Sequence, residues 1–240
     1  MNAIPTVTKN LLIINVLVFL ATLVAQTYNI DLARYLGLHF FLSDDFNVAQ
    51  LITYMFMHGG FTHLFFNMFA VWMFGRILEQ VWGPKRFLSY YMICGIGAGL
   101  ISMLVTYIRI QSAKVGMTPE MIDTVYREGS GILHDNMNYT YPAMANLNAL
   151  LNGVTVGASG AVYAILLGFG MLFPNQPLFI FPLPFPIKAK YFVLLYGAAE
   201  LFFGLQNSVG DNVAHFAHLG GMLFGFFLIL YWRKHSKKFY

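Results

Sequence analysis

Six stretches of this chain are long, apolar and nearly free of charge: 9–27, 61–82, 87–108, 157–173, 190–207 and 213–232. A helix that crosses the hydrocarbon core needs ~20 mostly apolar residues, with a range of ~17–25. Six such runs leave no soluble fold that could bury them all. Only 10% of the 240 residues are charged and 58% are hydrophobic, against about 25% charged in a soluble domain. The expected fold class is therefore an all-α membrane protein, a bundle of six transmembrane helices. It reads as one membrane domain over 1–240, with neither an internal repeat nor a separate soluble domain.

Charge sets the direction. Lys9, Lys85, Arg86, Lys188, Lys190, Arg233, Lys234, Lys237 and Lys238 fall on one side if the spans alternate. The opposite loops hold Asp31, Asp44, Asp45, Glu120, Asp123, Glu128, Asp135 and Asp211, diluted by Arg34, Arg109, Lys114 and Arg127. By the positive-inside rule both termini are cytoplasmic. The net charge of +4 sits in short clusters between apolar runs, which is a topology signal and excludes a nucleic-acid face. The first run, Leu11 to Ala25, has only Lys9 before it and no small-x-small cleavage site after it, so it reads as a retained helix.

The loops differ in kind. Outer loop 28–58 carries Tyr35, Leu36, Leu38, Phe40 and Phe41, a patch expected to lie in the membrane interface. Outer loop 109–150 is the most polar stretch. Within it "TPEMIDTVYREG" predicts a short helix, with Thr118 as N-cap, Pro119 in the first turn and Gly129 as terminator. Inner loop 174–188 holds five of the nine prolines. Pro182, Pro184 and Pro186 at alternate positions forbid helix and enforce extended chain.

The fourth run is too short to be an ordinary span. Pro174 ends its helix, and "VGASGAVYAILLGF" opens it. A start at Ser159 leaves about 15 residues, or roughly 22 Å at 1.5 Å per residue, against a core of ~30 Å. Ser159 then lies at a buried helix N-terminus, below the outer surface. Non-helical backbone ahead of it must be buried in protein or line a wet cavity. Free N–H groups at such a terminus suit an oxyanion. Small residues in membrane helices are also packing faces, as "CGIGAGL" at 94–100 illustrates, so Gly157 and Gly160 alone leave both readings open.

Other polar residues lie at membrane depth. His218 is followed at helical spacing by Gly221 and Gly225, a face that permits close helix approach, and a neutral imidazole is the usual base for a serine. His215 is one turn earlier, nearer the outer surface. His63 and Asn67, i and i+4 in the second run, share a face and are the right donors for a developing oxyanion, although each taken singly is also a structural hydrogen-bonding residue. His58, just before that run, reads as a tie for the outer loop. Glu200 in the fifth run requires a partner or a wet cavity. Arg76 and Glu79 read as a structural pair. No acidic residue stands near any of these histidines at a spacing that suggests a third triad member. Cys94 is alone, and HExxH, P-loop and dinucleotide motifs are missing. No metal and no cofactor are expected.

Together "HGGFTHLFFN", "GASGAVYA" and "AHLGGMLFG" resemble the rhomboid intramembrane serine proteases, in the order and on the helices of that family. The resemblance covers nearly the whole chain. It implies a Ser159 nucleophile and a His218 base in a dyad without an acid. It implies His63 and Asn67 as oxyanion-stabilising side chains, helped by the Ser159 N–H. Tyr163 matches the tyrosine that packs on the imidazole, and Gly221 the glycine at the crossing of spans four and six. The fifth span would be a lateral gate, which gives Glu200 a gating or structural role. The implied partners are transmembrane protein substrates and the lipid bilayer, with no nucleic acid, and the implied location is a bacterial cytoplasmic membrane. Natural substrate and oligomeric state stay open. Two departures are plain: "NVAQLITY" stands where the family often has a Trp-Arg pair, and loop 109–150 is longer than in minimal members. The alternatives are a catalytically inactive relative that binds membrane clients, and a proton-coupled transporter. The first typically lacks the serine or histidine, both present here; the second usually shows inverted repeats.

Overall fold

A computed structural model describes residues 3–179, 184–206 and 214–235; Pro182, Asp211, Lys237 and Lys238 lie outside them. The helices, in order, are α1 (Thr6–Thr27), α2 (Leu32–Leu36), α3 (Gln50–Thr53), α4 (Phe61–Ala70), α5 (Arg76–Trp82) and α6 (Pro84–Ala113). They continue as α7 (Pro119–His134), α8 (Pro142–Asn152), α9 (Ser159–Leu172), α10 (Ala189–Gln206) and α11 (His215–His235). A π-helical turn, Val71–Gly75, joins α4 to α5 into one continuous rod. The chain is an all-α membrane protein. Among the described residues four helices, α1, the α4–α5 rod, α6 and α11, are long and apolar enough to cross a membrane, and α9 is a shorter apolar one.

The shortest of these is the innermost. Its 14 residues span about 21 Å, roughly 9 Å less than a ~30 Å hydrocarbon core. Gly160, Ala161, Ala164, Ile165, Gly168 and Phe169 are all buried between α6, α10 and α11. Large apolar residues on the outer helices face outward instead, among them Leu17, Leu194, Leu205 and Phe227. That inversion is what lipid, rather than water, as solvent requires.

Small residues make the close crossings. Gly97 of α6 takes the ring of Phe224 against its backbone, so the 94–100 cluster is a packing face. Tyr90 of α6 donates from its hydroxyl to the Ala164 carbonyl at 2.7 Å, and Gly225 of α11 gives the phenol room. The buried Tyr90 hydroxyl thus finds a backbone acceptor, as a buried polar group usually does.

Three sequence expectations need correcting. The patch in loop 28–58 is not held by the interface alone: Leu38 and Phe40 are buried, while Tyr35 and Phe41 are exposed. Phe40 joins Ile110, Val125, Leu147 and Leu151 in a second apolar core. That core exists because loop 109–150 is largely helical: α6 runs on to Ala113, and α7 and α8 pack on each other. Thr118 does cap α7, accepting from the Met121 N–H. Gly129, however, does not end it; the helix continues to His134, and Gly129 instead lets Asn148 and Asn152 of α8 pass close by. Finally, Glu79 turns to α1 rather than to Arg76. It accepts from the Val7 and Thr8 amides and the Thr8 hydroxyl at 2.7–2.9 Å, satisfying donors that a helix N-terminus leaves open. Arg76 lies 4.8 Å from the Trp72 ring centroid. In loop 174–188 the described residues form a two-residue antiparallel pairing, Pro177 with Lys188 and Leu178 with Ile187, which includes neither Pro184 nor Pro186.

Asp45 ties loop 28–58 to α7. Its carboxylate meets Arg34 Nε at 3.2 Å, Ser130 Oγ at 2.8 Å and His134 Nε2 at 2.7 Å. Burial alone would raise its pKa, but the hydrogen bonds from Ser130, His134 and Arg34 and the charge of His134 together hold it below the usual carboxylate value. A depressed native pKa means the stabilisation is complete above the unfolded value of ~3.9. It is lost as pH falls through the native pKa. Asp45→Ala is expected to cost on the order of 1 kcal/mol locally, speeding hydrogen exchange in α7 about fivefold at neutral pH while leaving α11 unchanged.

Candidate active site

Ser159 is the first residue of α9. The chain reaches it through an irregular segment, 153–158, whose backbone is not left unsatisfied. Thr155 exchanges both hydrogen bonds with Leu38, at 2.8 and 2.9 Å, and the Gly157 N–H donates to the Tyr54 carbonyl at 2.9 Å. Tyr54 in turn donates its hydroxyl to the Gly95 carbonyl at 2.7 Å. Loop 28–58 and α6 therefore hold the segment in place, which is the condition for irregular backbone inside a membrane bundle. Gly157 has φ +135°, a conformation that L side chains rarely adopt.

Across from the serine stands α11. His218, buried one turn into that helix, brings Nε2 to 2.8 Å from Ser159 Oγ. The crossing is close because Gly221 sits directly on the Gly160 carbonyl. Tyr163, one turn along α9 from Ser159, stacks on the His218 ring at 4.2 Å with a 6° interplanar angle. The expected residues of both helices are thus in one place.

His63 and Asn67 share a face of α4, as their spacing predicts. The Gly59 N–H lies 3.4 Å from His63 Nδ1. A backbone amide can only donate, so Nδ1 accepts and the proton of the neutral ring is on Nε2. That edge faces Gly157: a Cβ there would stand 2.8 Å from His63 Nε2 and 3.5 Å from Ser159 Oγ. The absent side chain leaves open the space between serine and imidazole. Asn67 donates one amide hydrogen to the His63 carbonyl at 2.9 Å, and a second N–H remains on that nitrogen. His58 is buried, T-shaped against His63 at 5.0 Å.

Glu200 is the residue that local spacing missed. It reaches in from α10 and accepts at Oε2 from His218 Nδ1 at 2.9 Å and from His215 Nδ1 at 2.6 Å. The Tyr163 hydroxyl closes on Oε1. The signal was its cost: a carboxylate inside an apolar helix must find donors. These donors lie on α9 and α11, the helices before and after α10 in the chain, so no spacing rule along one helix reveals them. Glu200, His215 and His218 also form the one cluster of the described residues with three potential metal-ligating atoms close together. Two imidazole N–H groups donating to one carboxylate account for that cluster without an ion.

Known proteins resemble this chain over most of its length. The family model described as Rhomboid domain matches residues 45–119 and 124–235. Rhomboid protein 1, mitochondrial, of Saccharomyces cerevisiae is 28% identical over 194 residues, which make up 80% of this chain and 44% of that protein. The putative rhomboid protease YdcA of Bacillus subtilis is 28% identical over 181 residues, 75% of this chain and 64% of the relative. Rhomboid protease AarA of Providencia stuartii is 28% identical over 177 residues, 71% of this chain and 51% of its own. The chain thus spans between 44% and 64% of the length of these relatives.

Proposed function

This chain belongs to the rhomboid family, and from that premise we propose that it is an intramembrane serine protease that cleaves transmembrane proteins. The observation that carries the reading is the contact of Ser159 Oγ with His218 Nε2, 2.8 Å, at a helix N-terminus flanked by His63. In this reading α9 and α10 complete six crossings with both termini in the cytoplasm, as the charge distribution supports. The site then opens toward the outer face of a bacterial cytoplasmic membrane.

The chemistry follows from the atoms present. Ser159 Oγ attacks the scissile carbonyl carbon while its proton passes to His218 Nε2. The carbonyl oxygen becomes an oxyanion in the space left by Gly157. There it meets His63 Nε2–H, the free Asn67 N–H and the amides of the first α9 turn. Collapse breaks the C–N bond, and His218 returns the proton to the leaving amine. Water then attacks the acyl-enzyme with His218 again as base, releasing the acid and restoring Ser159. The same carboxylate-free oxyanion donors predict that His63→Ala lowers kcat by ~10²-fold with little change in KM; steady-state rates in proteoliposomes measure it.

The test is cleavage of a reporter transmembrane substrate by the reconstituted protein. Cleavage within or beside the transmembrane segment, lost in Ser159→Ala, is expected. A Ser159→Ala variant that still cleaves would refute the proposal.

A further inference from the structure

Resting on the serine–histidine reading, we infer that Glu200 is a positioning residue for that reaction: the carboxylate that fixes the tautomer and orientation of His218 from a third helix. Ser159 belongs to α9, His218 to α11 and Glu200 to α10. The His218 ring is held on both edges, Nε2 at Ser159 and Nδ1 at Glu200 Oε2, 2.8 and 2.9 Å. A carboxylate without a proton can only accept. The hydrogen at Nδ1 is therefore on the histidine, and Nε2 carries the lone pair that takes the serine proton. The opposite tautomer would point a hydrogen at Ser159 and leave no base.

The carboxylate is itself held. Tyr163 donates to Oε1 and His215 to Oε2, so three donors from two neighbouring helices fix its plane. Tyr163 acts twice, covering the His218 face at 4.2 Å and anchoring the group that orients its edge. When Nε2 receives the serine proton, the imidazolium forms against Glu200, and both side chains are buried. There a fixed negative charge counts for more than it does in solvent. A purely structural carboxyl has no need to spend Oε2 on the same nitrogen ring that meets the serine.

Glu200→Gln keeps the size but presents an amide that can donate to Nδ1, favouring the unproductive tautomer. The expected result is a kcat lowered on the order of 10²-fold with KM within about twofold. Glu200→Asp, which keeps the acceptor on a shorter stem, should recover a good part of the loss. The spectroscopic signature is a downfield Nδ1–H proton of His218 in isotope-labelled protein, present in wild type and in Ser159→Ala and lost in Glu200→Gln. Thermal unfolding in detergent, run on every variant, separates this from misfolding. A Glu200→Gln enzyme with wild-type kcat, or a His218 Nδ1–H signal that survives the substitution, would overturn the inference while Ser159→Ala stayed inactive. Hydrolysis persisting in Ser159→Ala would overturn the underlying reading and this inference with it.

Discussion

Ser159→Ala and His218→Ala are each expected to lower the rate of transmembrane-substrate cleavage on the order of 10⁴-fold or more. The two side chains make one device: the hydroxyl is a weak nucleophile until the imidazole 2.8 Å away accepts its proton. Removing either member removes the whole of that step. The double variant should therefore be no slower than the slower single variant, because residues that act as a unit are not additive. What activity remains would come from substrate binding and the oxyanion donors alone. Initial rates of the three variants in proteoliposomes, with folding checked by thermal unfolding, measure this. Additive losses would mean that Ser159 and His218 act in separate steps.

The second large effect is on Gly221. A Cβ there would fall far inside van der Waals contact distance of the Gly160 carbonyl oxygen. That atom is backbone in a buried helix and cannot swing aside. Gly221→Val must push α11 away from α9, and these two helices carry His218 and Ser159. The expected stability loss is roughly 3 kcal/mol or more, at the upper end of overpacking effects. Catalysis should fall further than folding does, since a displacement of ~1 Å at reacting groups costs ~10²-fold. Gly131 provides the contrast: in α7, nothing lies within 4 Å of a Cβ built on it. Gly131→Ala is expected to leave cleavage unchanged and to stabilise the helix by up to ~1 kcal/mol. Melting curves and rates for the pair distinguish close approach from a general intolerance of glycine replacement.

The part of the site that lies on single helices was legible in the chain. Pro174 and Ser159 bound a helix too short to span, and α9 has those limits, Ser159 to Leu172. His63 with Asn67, and His218 with Gly221, follow from helical spacing alone. Groups paired across helices were not legible in that way. Glu200 announces that it needs a donor but not which one, because His218 lies on a different helix. Glu79 reads as the partner of Arg76 until α1 brings its N-terminal amides to the carboxylate. The polar loop 109–150 hides α8, whose asparagines face Gly129 of α7 and each other. Polar side chains that satisfy one another in a small helical pair look, in sequence, like side chains that satisfy water.

The most direct test of the serine–histidine reading is covalent labelling with a fluorophosphonate, followed by peptide mapping of the adduct. The predicted result is a single phosphonylated residue, Ser159, with labelling abolished in Ser159→Ala and slowed on the order of 10³-fold or more in His218→Ala. An adduct on any other residue, or labelling of Ser159 at an undiminished rate without His218, would contradict it.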